Sequence, residues 1–190
     1  MPSPVGHFLG GVAAGWLVMP AASSPERGLR ASSLVRDKYT PLLFGIVGIA
    51  PDLDILFRMH RTVTHSVGGA VVVFVIALAL LGVRQARLAA ALAAAIVSHF
   101  LLDWFSYDSN KPTGVMMLWP FYRHYFEPPY PLFLSISKQF WTAAFYTQNA
   151  LAVVREVLIL GPVVGLIAWM RSRGPAAASR VPDTRLVEEP

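Results

Sequence analysis

Residues 67–83, VGGAVVVFVIALALLGV, carry no charge and are about long enough to cross the hydrocarbon core of a bilayer. Four further apolar runs, at 5–21, 41–57, 88–105 and 151–170, alternate with polar or basic connections. Hydrophobic residues make up 55% of the 190 residues and the mean hydropathy is +0.51, too apolar for an ordinary soluble domain. The expected fold is all-α: an integral membrane helical bundle of about five spans with an aromatic-rich extracytoplasmic segment. It forms a single domain over 1–173, followed by a disordered cytoplasmic tail at 174–190 with little that can pack. The N-terminus, MPSPVGHFLGG, lacks the Lys or Arg of a cleaved signal peptide, so the first run reads as a retained span. Pro41 suits the first turn of the second helix, and Pro51 interrupts that helix near its end.

Lys and Arg set the orientation. With the N-terminus outside, Arg27, Arg30, Arg36, Lys38, Arg84, Arg87, Arg171, Arg173, Arg180 and Arg185 are inside, ten of the sixteen basic residues. On this orientation the tail is expected in the cytoplasm, and the membrane is expected to be a prokaryotic cytoplasmic one. The net charge of +5 then reflects loop arginines at the ends of apolar runs, and no nucleic-acid partner is expected. The chain has no cysteine, which excludes disulfides and thiolate metal sites.

That topology brings all five histidines to the outer face, along with Asp52, Asp54 and Asp103. His99 and Asp103 are four apart, so on a helix they share one face. An ionisable side chain within a membrane helix costs roughly 2.5–3.5 kcal/mol and needs a partner or a function. Asp52 and Asp54 flank Leu53 and cannot both face one point from a regular helix. Either the break at Pro51 turns both inward, the reading taken here, or one of them caps an element. His60 and His65 fall in the loop entering the third span, where Thr64 is placed to cap the helix. His7 opens the first span; alone it would read as a buried polar residue.

Small residues lie beside each candidate ligand: Gly10, Gly11 and Ala14 near His7; Gly45 and Gly48 near Asp52; Gly68 and Gly69 beyond His65; Ala91 and Ala95 near His99. They permit close helix approach, whether for a shared ion or for ordinary bundle packing. Imidazole and carboxylate ligands suit a divalent metal, with zinc taken as the first choice and manganese or iron as alternatives. Residues 104–150 hold fourteen of the twenty-two aromatics and fit a lid along the outer interface or an aromatic belt. His124 and Glu127, in this segment, are second-rank candidates.

The ordered set of His7, PDLD at 51–54, HRTVTHS at 60–66, HFLLDW at 99–104 and WPF at 119–121 resembles the YdjM family of membrane-bound metal-dependent hydrolases over residues 5–127. The family looks distantly similar to zinc-dependent phospholipase C and single-strand nucleases. The resemblance implies metal ligation by His7, Asp52, Asp54, His60, His65, His99 and Asp103. The stretch after the HxxxD helix, SYDSNKPTGV, is longer than the family's usual pattern. The expected function is a membrane-bound hydrolase that cleaves a phosphate ester of a lipid or headgroup through metal-activated water. In it Asp54 serves as general base and Arg61 holds the anion. The alternatives are a structural or regulatory metal site without catalysis, and a metal- or proton-coupled transporter.

Overall fold

The computed structural model describes residues 1–19, 39–57, 61–107 and 113–173. The described residues form five α-helices and contain no strand: α1 (Pro4–Val18), α2 (Thr40–Ile49), α3 (Val67–Leu81), α4 (Ala86–Trp104) and α5 (Ala143–Ser172). Each helix corresponds to one apolar run. The expected tail at 174–190 and the basic loop at 22–38 lie outside the described residues.

Local chemistry sets the helix boundaries. Ser3 caps α1, its hydroxyl accepting from the amides of Val5 at 3.2 Å and Gly6 at 3.4 Å, and Pro4 fills the first turn. Pro41 starts α2 as expected, but beyond Ile49 the chain tightens into a 3₁₀ helix, Ala50–Phe57, carrying both Asp52 and Asp54. The cap of α3 is Ser66, which accepts from Gly69 N at 3.1 Å; the expectation of Thr64 misplaces it by two residues. Gly82, at φ 83°, ends α3 in a conformation open to glycine. A 3₁₀ turn, Val83–Gln85, leads into α4, which takes up Arg87 in its first turn. Helix α5 begins at Ala143, earlier than the apolar run, because Thr142 caps it by accepting from Phe145 N.

Helix α1 packs on α2, α4 and α5, while α4 packs on α1, α2 and α3. Two places show how tightly. Gly11 and Gly48 bring the backbones of α1 and α2 together, such that a Cβ on Gly48 would lie 2.6 Å from the carbonyl oxygen of His7. Gly68 seats the start of α3 against the ring of Trp119, whose carbonyl accepts from Gly68 N at 2.9 Å. At the opposite end from the histidines, Phe44, Leu88 and Ala91 form an apolar cluster with Trp16, Met19, Leu43 and Leu92.

Helix α5 runs parallel to α1 and holds it at both ends. The Glu156 carboxylate meets the α1 N-terminus at Ser3, and Arg171 Nη1 donates to the carbonyls of Trp16, at 3.2 Å, and Met19. Both contacts match the sign of the helix dipole.

Large apolar side chains face outward, including Leu17, Val71, Val75, Leu80, Leu158 and Trp169. An apolar exterior over a polar interior site suits lipid rather than water. By length and composition, two of the described helical stretches can cross a membrane: Val83–Trp104 and Ala143–Ser172. Helices α1 and α3, with 15 residues each, are apolar but shorter than an ordinary span.

Candidate metal centre

His7 lies in the first turn of α1, Asp52 in the 3₁₀ helix after α2, His65 just before α3, and His99 and Asp103 near the end of α4. The up-and-down packing brings these elements to one end of the bundle. One donor atom from each of His7, Asp52, His99 and Asp103 lies within 4.8 Å of the others. His7 Nε2 is 3.5 Å from Asp103 Oδ1 and 3.9 Å from Asp52 Oδ2. His99 Nε2 is 3.5 Å from Asp103 Oδ2 and 3.7 Å from Asp52 Oδ1. Four donors around a zinc-sized ion at ~2.1 Å stand roughly 3.4 Å apart, so the spacing fits a single divalent cation.

The polar atoms converging here also fit a cation. Both ring nitrogens of His7, Oδ1 of Asp52 and both oxygens of Asp103 are buried and make no hydrogen bond among the described residues. Burying two carboxylates at one point is expensive, and a cation at their meeting point offsets that cost. The rings are arranged for ligation. His7 stacks on His99 with centroids 3.8 Å apart. His99 Nδ1 lies 2.7 Å from the carbonyl of Gly48. Donation of its proton there leaves the Nε2 lone pair facing the cluster.

His65 approaches the same point. Its Nε2 is 2.9 Å from His99 Nε2, 3.2 Å from Asp103 Oδ2 and 3.7 Å from Asp52 Oδ1. Its Nδ1, on the far side of the ring, is 3.1 Å from Asp54 Oδ2 and 2.9 Å from Thr64 Oγ1, and Thr64 also donates to Asp54. Thus Asp52 and Asp54 are both drawn in without facing one point: they take opposite nitrogens of one imidazole. Burial disfavours the imidazolium, but Asp103, Asp52 and Asp54 outweigh it and hold the His65 pKa up to about 11.

The remaining candidates divide. Arg61 is buried and adopts φ 64°, an uncommon conformation for a residue with a side chain. Its carbonyl accepts from Met116 N at 3.3 Å. With Asp103, Trp104, Tyr107 and Glu127 it lines a half-open cavity of about 220 Å³ beside the cluster. Glu127 accepts a hydrogen bond from Thr113 there. His124 is exposed and makes ring contacts with Tyr122 and Phe126, not with the cluster. His60 lies outside the described residues.

The aromatic segment after α4 is irregular, pinned by single bridges between Ser106 and Phe133 and between Val115 and Phe126. It walls the cavity, while Phe121, Tyr130 and Trp141 project outward at 86%, 84% and 71% exposure, as residues reaching a headgroup layer would. Glu156 was not picked out by the sequence, although a carboxylate inside an apolar run was a readable signal.

No match was found among curated proteins or among solved structures. The model of the YdjM inner membrane protein family matches residues 1–175, nearly the whole chain and every residue of the cluster, and the chain belongs to that family.

Proposed function

We propose that the protein is a metal-dependent hydrolase of phosphate esters, working at the outer interface of the membrane on a lipid or headgroup substrate. The observation that carries this reading is the cavity beside the cluster, lined by both Arg61 and Asp103. His7, Asp52, His99 and Asp103 hold the cation, which we take to be zinc, with manganese or iron fitting the same donors. When bound, a divalent ion supplies Lewis acidity and a water of lowered pKa. Arg61 binds and orients the phosphate. His65 Nε2 is the group placed to hold or move a proton. Asp54 and Thr64, behind Nδ1, fix its ring, which favours a positioning part for Asp54 over the general-base part expected from the sequence. The aromatic segment limits water access to the cavity.

The same reading sets the topology. Five spans, with α1 and α5 both running from outside to inside, put the whole cluster outside and the tail at 174–190 in the cytoplasm. Labelling of a cysteine at Ser179 by an impermeant reagent in intact cells would overturn this orientation.

The test begins with elemental analysis of the detergent-purified protein. At least one divalent ion per chain is expected, lost in a folded His99→Ala variant, together with metal-dependent phosphoester cleavage. A folded wild type that takes up no zinc, manganese or iron sinks the reading. Arg61→Ala is expected to retain its ion but lose about 10- to 100-fold in kcat/KM, the scale of a charged hydrogen bond. Unchanged turnover of every active phosphoester removes Arg61 from substrate binding. One observation favours a second reading: four protein donors can close a structural zinc site completely. A tightly held ion with no exchangeable water would select a non-catalytic role.

A further inference from the structure

Glu156 is wholly buried on α5, a helix that supplies none of the cluster's donors. One carboxylate oxygen accepts from Ser3 N at 2.7 Å, and the other accepts from the Ser3 hydroxyl. That hydroxyl in turn caps α1 through the amides of Val5 and Gly6, while the Ser3 carbonyl accepts from His7 N at 3.2 Å. The side chain of Glu156 rests on Gly6, the residue before His7, where a Cβ would come within 2.8 Å of the carboxylate. An unbroken chain of contacts therefore runs from Glu156 through the first turn of α1 to a cluster histidine. His7 needs such a constraint, because neither of its ring nitrogens makes a hydrogen bond among the described residues to fix the ring.

We infer that Glu156 is a positioning residue for the metal centre, holding His7 in place by fixing the first turn of α1. The alternative, that Glu156 only docks α5 onto α1, has an internal control in Arg171. Arg171 makes the equivalent docking contact at the other end of α1, away from the cluster. Loss of docking alone affects both variants alike, whereas positioning affects only the Glu156 variants.

Glu156→Ala, Glu156→Gln and Arg171→Ala are compared with the wild type by two readouts. The first is zinc affinity, which rests on the metal-centre reading. The second is carbethoxylation of His7 in metal-free protein, followed by mass spectrometry with the exposed His124 as reference, and it does not rest on that reading. Glu156→Ala is expected to weaken zinc binding at least ~tenfold, the usual cost of losing a group that supports a ligand, and to expose His7 to reagent. Glu156→Gln falls between, since an amide accepts from Ser3 N but cannot also accept from the Ser3 hydroxyl. Arg171→Ala lowers the melting temperature and leaves His7 protected. If Glu156→Ala does not fold, Glu156→Gln decides the matter. His7 equally protected in the folded Glu156 variants and the wild type, or equally exposed in Arg171→Ala, overturns the inference. A wild type that binds no zinc, with His7 exposure still following Glu156, overturns the metal reading and leaves the positioning role standing.

Discussion

Replacement of Asp103 by Asn is expected to abolish metal binding, weakening affinity at least ~100-fold, more than the loss of a merely supporting group costs. Asp103 sits at the middle of the cluster, wholly buried, within 3.5 Å of ring nitrogens on His7, His65 and His99. It offers a donor atom to a cation held there and carries half of the formal negative charge of the four-residue donor set. An Asn side chain keeps the volume and one acceptor, so the bundle is expected to fold and the loss to be chemical. Thermal melting in detergent with and without zinc separates the effects. Wild-type protein gains about 2.7 kcal/mol when zinc is a hundredfold above its Kd, whereas the variant shows no zinc-dependent rise. An Asp103→Asn protein that still carries one ion per chain would mean that the cation lies elsewhere.

That result would test a site whose parts were largely legible in the sequence. The i, i+4 spacing of His99 and Asp103 puts both on the inner face of α4, and the alternation of apolar runs puts His7, Asp52 and His65 at the same end. Helical periodicity determines such placements before any tertiary detail is known. What the pattern does not carry is the orientation of a ring. Asp52 and Asp54 pose a puzzle as alternate residues, and its solution depends on His65 lying between them with one nitrogen toward each. Thr64 carries a plausible cap signal, but its hydroxyl goes to Asp54 and the cap falls to Ser66. Both outcomes are decided by contacts across the loop, between residues ten or more apart. Glu156 is different. Its signal, a carboxylate in a membrane helix, was local, but its partner at Ser3 is 153 residues away and no spacing rule connects them. The early start of α5 likewise reflects a hydroxyl cap at Thr142, which hydropathy does not register.

The second large effect is expected from a methyl group. Small residues beside the ligands suggest close helix approach, but only the structure shows that Gly48 has backbone atoms as its nearest neighbours. A Cβ at Gly48 would stand 2.6 Å from the carbonyl oxygen of His7 and 2.9 Å from Gly11 Cα. Backbone cannot swing aside as a side chain can, so Gly48→Ala must separate α1 from α2. Over-packing of this kind costs typically 1–3 kcal/mol. The separation also shifts two ligand supports together: the backbone bearing His7, and the Gly48 carbonyl that fixes the His99 ring at 2.7 Å. Zinc affinity is therefore expected to fall about 10- to 100-fold, with a lower melting temperature. Gly165→Ala provides the contrast. Its Cβ would meet nothing within 4 Å, so it should leave zinc affinity unchanged and gain slightly in helix propensity. If Gly48→Ala matched Gly165→Ala in both measurements, the helices would have slack that the contact distances deny. The link from close packing to ligand geometry would then have to be abandoned.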